Sequence, residues 1–246
     1  PVTMQITAVI YCAAALVTFK LLKERAVPNP AAMGQSGMKA SLVQLKKTFH
    51  EARRYPDFMW LLLCAVFYQG GVAVAITLAA IYAEQVIGFV QQETMVLIFV
   101  LNFAAAAGAF GLGYVQDRIG HKRALGLTLI GWTLTCIIAA MTTSKGMFWY
   151  AAALAGFCMG SSQSAGRAMA GMLAPPKQTA EFYGLWTFAT RLASIIGPLS
   201  YGAITWVTGG NQRISIASTA LLFVAGLVVL QRIDMARGRS AAEQAG

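Results

Sequence analysis

Apolar residues fall in long blocks along the chain, broken by short polar stretches, rather than alternating with polar positions as a half-buried strand would require. A block of about 20 apolar residues, wound as a helix, matches a hydrocarbon core about 30 Å thick. Taken with the breaks, the pattern predicts about seven membrane spans, at 2–22, 58–83, 93–114, 124–143, 147–170, 182–207 and 213–231. Most breaks are short and carry turn chemistry: Thr142-Thr-Ser-Lys-Gly146, Pro175-Pro-Lys177 and Thr208-Gly-Gly-Asn211. The exception runs from Glu24 to Tyr55, opening with Pro28, Pro30, Gly34 and Gly37. From Ser41 to Arg54 it becomes amphipathic, with Leu42, Leu45, Phe49 and Ala52 at helical spacing beside Lys46, Lys47, Arg53 and Arg54, which predicts an interfacial helix. The expected fold class is an all-α polytopic membrane protein.

Composition agrees. Hydrophobic residues make up 57% of the chain and charged residues 11%, against about 25% charged in a soluble domain. The first block lacks the basic start and small-residue cleavage site of a signal peptide, and the chain begins at Pro1, so it is read as part of a longer product. Cys12, Cys64, Cys136 and Cys158 stand singly inside apolar blocks, and His50 and His121 lie in basic stretches, so neither a metal site nor a disulfide framework is expected. The net charge of +10 would suit nucleic acid, but topology accounts for it. Alternating the connections between two sides places sixteen of the 19 lysines and arginines on one: eight from Lys20 to Arg54, then Arg118, Lys122, Arg123, Arg167, Lys177, Arg232, Arg237 and Arg239. The positive-inside rule makes that side, and the C-terminus, cytoplasmic. Nucleic acid is not an expected partner; the lipid bilayer is.

The densest charge lies in Gly113-Tyr-Val-Gln-Asp-Arg-Ile-Gly-His-Lys-Arg123, predicted to be a tight turn between the third and fourth spans. Gly113 and Gly120 permit unusual backbone angles, and Arg118, Lys122 and Arg123 hold the turn in the cytosol. Asp117 adds little to topology; it can pair with Arg118 or Arg123, or accept N–H bonds from the start of a neighbouring helix. Gly113, Asp117, Arg118, Gly120, Lys122 and Arg123 resemble the loop signature G-x-x-x-D-R-x-G-R-K/R of the major facilitator superfamily, with His121 in place of a basic residue. The stretches 67–83, 160–186 and 193–216 are similar to a bacterial subfamily related to the autophagy-linked vacuolar amino-acid effluxers. Where that subfamily tends to show Asn-Asp-Gly, this chain has Gln69-Gly70-Gly71.

The resemblance implies a domain plan: residues 1–25 as the last helix of an N-terminal half lying outside this chain, 26–56 as a cytoplasmic central loop with an amphipathic helix, and 57–246 as the six-helix C-terminal half with a cytoplasmic tail. It further implies alternating access in a bacterial inner membrane, moving a small solute such as an amino acid or organic anion, with or without a proton or cation. Asp117 would then act as part of a conformational latch, near Thr179-Ala-Glu181.

Arg191 is the most informative single residue. It lies about nine residues into its span, roughly 13 Å deep, where a cation costs at least about 2.5–3.5 kcal/mol unless it faces water or a partner. It is expected to bind an anionic group or pair with an acid. Gln69, Asn102 and Gln163 are uncharged polar residues within spans, which line the same cavity or bond between helices, and Tyr68 is a cavity-wall candidate. Gly70-Gly71 and Gly197-Pro198 are candidate bending points. Small residues recur every fourth position at Ala152, Gly156, Gly160, Ser164 and Ala168, and at Ala105, Ala109 and Gly113, as close helix packing requires. No nucleophile elbow, Cys/His pair, carboxylate pair or cofactor motif is present, so neither an enzyme nor a bound cofactor is expected. The competing expectation is a non-transporting scaffold or assembly factor with the same fold.

Overall fold

The structure is a computed structural model that describes residues 2–21 and 38–244. It divides into two compact units, 1–44 and 45–246. In the first, α1 (Val2–Leu21) is an apolar helix whose described side chains are all exposed. The proline- and glycine-containing part of the predicted central loop lies outside the described residues.

The helix α2 (Met38–Ala52) begins in the first unit and ends in the second. The second unit continues with α3 (Pro56–Tyr82), α4 (Gln91–Ile119), α5 (His121–Met141), α6 (Lys145–Leu173), α7 (Thr179–Val207), α8 (Gln212–Gln231) and a short α9 (Met235–Gln244). No strand occurs among the described residues. Among the described residues, five helices are long and apolar enough to cross a membrane: α1, α3 with the π-helical turn that extends it to Ile87, α4, α5 and α8. At 29 residues each, α6 and α7 are as long as α4. Glycine, serine, threonine and glutamine, with Arg167 in α6 and Arg191 in α7, interrupt their apolar runs. Both pack within the bundle beside the apolar helices, so their polarity has to be met by the bundle itself or by what it borders.

Helix ends are set locally. Ser144 Oγ accepts from Met147 N (3.2 Å) to start α6, and Asn211 Oδ1 accepts from Arg213 N and Ile214 N (3.1 and 3.3 Å) to start α8. Between α4 and α5 the predicted loop shrinks to one residue: Gly120, with φ +88° and ψ 152°, turns the chain alone. The expected turn from Gly113 to Arg123 is thereby corrected, because Gly113, Asp117 and Arg118 continue α4 as helix and Lys122 and Arg123 already belong to α5. The sequence Asp-Arg-Ile does not break a helix; only the glycine does.

The most extensive packing joins α4 to α6 and α3 to α7, followed by α5 to α6, α5 to α8 and α3 to α8. So α3 and α6 stand between the flanking helices α7 and α4, and α5 and α8 back them. The core between these helices centres on Trp132, Tyr68, Phe58, Phe182 and Phe223, all nearly or fully buried. The small-residue stripes meet: Gly156 and Gly160 of α6 lie directly against the α4 backbone at Leu101 and Ala105. A methyl group at either glycine would strike a carbonyl oxygen.

The part of α2 from Leu45 onward belongs to the second unit; Leu45, Thr48 and Ala52 pack against its other helices, and Thr48 Oγ1 donates to Glu181 Oε2 at the start of α7 (3.2 Å). Phe49, expected on the apolar face, is exposed. The buried stripe follows i, i+3, i+7 and is therefore rotated from the one the hydrophobic pattern marks.

Candidate functional site

Midway along the bundle α3 and α6 are joined by two glutamines. Gln69 Nε2 donates to Gln163 Oε1 (3.3 Å) and Gln163 Nε2 donates back to Gln69 Oε1 (3.0 Å). Gln69 is buried and Gln163 half-buried. A primary amide has two donors and several acceptor positions, so the pair retains capacity for a further polar group on its open side. Tyr68 corrects the sequence expectation. It is fully buried, its hydroxyl packed against Gly166 and accepting from Gln69 Nε2 (3.4 Å), which makes it core between α3 and α6 rather than a wall facing an opening.

Arg191 is twelve residues from the start of α7, about 18 Å along the helix. The buried face of α7 carries Phe182, Leu185, Trp186, Ala189, Ala193, Gly197 and Tyr201. Arg191 points the opposite way, in an exposed strip with Thr187 and Ser194; its backbone carbonyl accepts from Ser194 Oγ (2.7 Å), and its guanidinium makes no ion pair or hydrogen bond among the described residues. Beside that strip the exposed face turns apolar, with Phe188, Leu192 and Leu199. Asn102 is exposed on α4, its amide donating to Ile98 O of its own helix (2.8 Å). The structure thus brings Gln69 and Gln163 into contact, with Tyr68 behind them, while Arg191 and Asn102 stand apart on the flanking helices.

Two of the four candidate bending-point residues, Gly70 and Gly197, meet where α3 and α7 cross. Gly70 and Gly197 place the α3 and α7 backbones in direct contact, and a methyl group on Gly197 would lie 2.7 Å from the Gly70 carbonyl carbon and 2.9 Å from its Cα. Both helices run unbroken through this contact, and α7 continues past Pro198 to Val207.

At the end of the bundle that carries the loop signature, the residues divide their work. Lys122 Nζ donates to Ile233 O and Gln231 O (2.6 and 3.2 Å), closing the C-terminus of α8 as a cation at a helix end should. Gln116 and His121 pair across Gly120. Asp117, Arg118 and Arg123 are exposed, and none has a partner among the described residues. The pairing of Asp117 with Arg118 or Arg123 is therefore not present. Nearby, Asp57 at the start of α3 is 2% exposed and accepts from Arg237 Nη2 and Nε (2.7 and 2.8 Å) and from Asp234 N (2.8 Å), docking α9 against the bundle. This carboxylate pushes the Arg237 guanidinium above its usual range, so the cation persists at every accessible pH. Sequence reasoning missed this pair. An acid immediately after Pro56 reads as a favourable first-turn residue, and nothing local marks a partner 180 positions away.

At the opposite end stand Lys145 and Arg213, two of the three cations outside the sixteen of the basic side, and both are engaged. Lys145 pairs with Glu93 (2.6 Å), and Arg213 Nη1 donates to Thr142 O and Ala140 O (2.6 and 3.0 Å) at the end of α5. Their position at the less basic end has a structural use in joining neighbouring helices.

With this geometry in place, comparison with known proteins is informative. The family described as vacuole effluxer Atg22 like matches residues 1–243. YxiO of Bacillus subtilis (strain 168), an uncharacterized MFS-type transporter, is 27% identical over 190 residues, covering 77% of this chain and 44% of the relative. Autophagy-related protein 22 of Cryptococcus neoformans var. neoformans (serotype D, strain B-3501A) is 24% identical over 205 residues, covering 77% of this chain and 37% of the relative. The chain spans less than half the length of these relatives. Among solved structures, the crystal structure of a bacterial homologue of the human lysosomal transporter Spinster, inward-facing and unoccupied, aligns over 93% of this chain and 56% of its own with a TM-score of 0.51 and 17% identity, a likeness of fold alone. An all-α membrane bundle with the loop signature of the major facilitator superfamily, matched by one family description along almost its whole length, belongs to the Atg22-like vacuole effluxer family.

Proposed function

We propose that this chain forms one helical half of a secondary transporter that moves a small solute bearing an anionic group, an amino acid or organic anion, by alternating access. The observation that carries the reading is Arg191. It is a cation near the middle of a long helix, turned away from its own bundle, its guanidinium without a partner among the described residues. Such a group is tolerated in a membrane only where it meets water, an acid or a ligand. A strip of Thr187, Arg191 and Ser194 next to a strip of Phe188, Leu192 and Leu199 suits a helix with one sector on an aqueous path and the next on lipid.

In this reading a second helical half faces the polar strip of α7, and the solute's anionic group is received there by Arg191. The bundle moves as a body, held by the glycine crossings, with Asp117, Arg118 and Arg123 available to latch against the other half when the inner ends close. The basic end is cytoplasmic, by charge asymmetry, and the membrane is a bacterial inner membrane. The missing acid at Gln69-Gly70-Gly71 means that a coupling proton or cation, where one is used, is bound by other residues.

The test is efflux from proteoliposomes containing the full-length protein, screened with amino acids and small organic anions. Arg191→Ala is expected to lower transport of carboxylate-bearing solutes at least tenfold, while Arg191→Lys retains part of it, since about 1.4 kcal/mol separates each decade. Unchanged transport in Arg191→Ala of a well-folded protein would refute the assignment.

A further inference from the structure

Arg167 is a second cation on the exposed surface of the bundle. It lies six residues before the end of α6, about 9 Å along the helix, and shares its exposed face with Ser164 and the half-buried Gln163. Its guanidinium makes no ion pair or hydrogen bond among the described residues; only its backbone carbonyl is engaged.

Tyr183 ties this face of α6 to the Arg191 strip of α7. Its hydroxyl donates to Arg167 O (3.1 Å) and sits over Gly171, where a methyl group would meet it at 2.7 Å. The same tyrosine opens the strip. Tyr183, Thr187, Arg191 and Ser194, all exposed, recur at helical spacing and cover about 80° of the α7 circumference, and Thr187 Oγ1 donates to Tyr183 O (2.8 Å). The strip therefore starts beside Arg167 and rises about 12 Å over eight residues to Arg191. The two helices run in opposite directions, joined by the short connection through Pro176–Gln178. Each Cα–Cβ bond tilts toward the N-terminus of its own helix, so Arg167 leans toward the middle of the bundle and Arg191 leans back toward Arg167. The two long side chains converge across that gap.

No acid stands at this level to answer either charge. Among the described residues, α5, α6 and α8 contain no Asp or Glu, and Asp57, Glu93, Asp117 and Glu181 all fall in the first or last turn of their helices. A zwitterionic solute would bring an ammonium group for which this wall offers no carboxylate. A solute with two anionic groups finds a cation for each.

We propose that Arg167 and Arg191 receive the two ends of one doubly anionic solute, a short aliphatic dicarboxylate. The inference rests on the alternating-access reading above and narrows its solute from an anion of any kind to a dianion. Guanidinium suits the role, since its planar fork binds a carboxylate through two parallel hydrogen bonds and stays charged throughout.

Full-length protein in lipid nanodiscs is titrated calorimetrically at neutral pH with succinate, glutarate and adipate, and with butyrate, pentanoate and hexanoate as controls of equal length and one carboxylate; empty discs correct for partition. At least one dicarboxylate should bind about tenfold or more tightly than its control, the effect of one further charge-assisted hydrogen bond. Arg167→Gln should remove that advantage and leave the monocarboxylates unchanged, Arg167→Lys should keep part of it, and Arg191→Ala should weaken both series. Norvaline, a five-carbon zwitterion, should bind more weakly than pentanoate. A wild type that prefers no dicarboxylate over its control, tighter binding of norvaline, or a preference that survives Arg167→Gln overturns the proposal. Monocarboxylate binding that depends on Arg191 without any dicarboxylate advantage sinks the dianion and leaves the transporter reading standing, whereas proteoliposome efflux indifferent to Arg191→Ala removes that reading itself.

Discussion

Two glycines at one crossing should respond oppositely to the same substitution. A Cβ on Gly197 would lie 2.7 and 2.9 Å from the Gly70 carbonyl carbon and Cα, whereas a Cβ on Gly70 finds its nearest neighbours, Ala193 O and Gly197 Cα, at 3.6 and 3.7 Å. Non-bonded carbons rest at about 3.5–4.0 Å and the Gly70 carbonyl oxygen lies closer still, so Gly197→Ala requires α3 and α7 to separate by more than about 0.8 Å, and no flexible side chain is there to yield. Overpacking of this kind costs about 1–3 kcal/mol. Helix propensity offers no compensation at Gly197, because the following Pro198 disfavours the helical region for a residue with a Cβ. At Gly70 the added methyl fits, and the gain in propensity of up to about 1 kcal/mol is available. Unfolding of the full-length protein in mixed micelles by SDS titration, followed by circular dichroism, should show a lowered midpoint for Gly197→Ala and an unchanged or raised one for Gly70→Ala. Equal shifts in the two variants would refute the crossing geometry. If Gly70 also serves as a bending point, Gly70→Ala lowers transport while leaving stability intact.

Gly120→Ala should cost about 1–3 kcal/mol in the same assay, since φ +88° with ψ 152° is a region almost reserved for glycine, and the helical break between α4 and α5 cannot move elsewhere. Asp57→Asn should cost about 1.5–3 kcal/mol from weakened charge-assisted hydrogen bonds. Arg237→Met should be more damaging than Asp57→Asn, because it strands the buried partner where the other releases an exposed cation to water; protease sensitivity of α9 reports the loss of docking in both. A double-mutant cycle over Gln69→Leu and Gln163→Leu should give a coupling of about 0.6 kcal/mol and not more than about 1.7, the range of interhelical hydrogen bonds in membranes; no coupling would mean the two amides act independently.

The hydrophobic blocks located the helices well because lipid demands continuous apolar helix, and the demand is written directly into composition. Arg191 was visible for the same reason, as a charge where the medium permits none without cause. The signature Gly113 to Arg123 was visible as a motif but not as a shape: nothing in Asp117-Arg118-Ile119 ends a helix, so only Gly120 could mark the turn. What stayed hidden depended on which faces meet. Phe49 and Thr48 are neighbours in sequence, and the choice of Thr48 as the buried one follows from Glu181, far along the chain. Tyr68 and Gln69 are likewise adjacent, yet one fills the core and the other joins α6, a distinction set by the rotation of α3. The Asp57–Arg237 pair depends wholly on tertiary approach.

The central claim, that the Arg191 strip of α7 borders water while its neighbour borders lipid, is tested most directly by cysteine accessibility in the full-length protein with its native cysteines replaced. Cysteines placed one at a time at Thr187, Arg191 and Ser194 should react with a membrane-impermeant thiosulfonate reagent, and those at Phe188, Leu192 and Leu199 should resist it. Protection at all six positions, or reaction confined to the apolar three, would contradict the account.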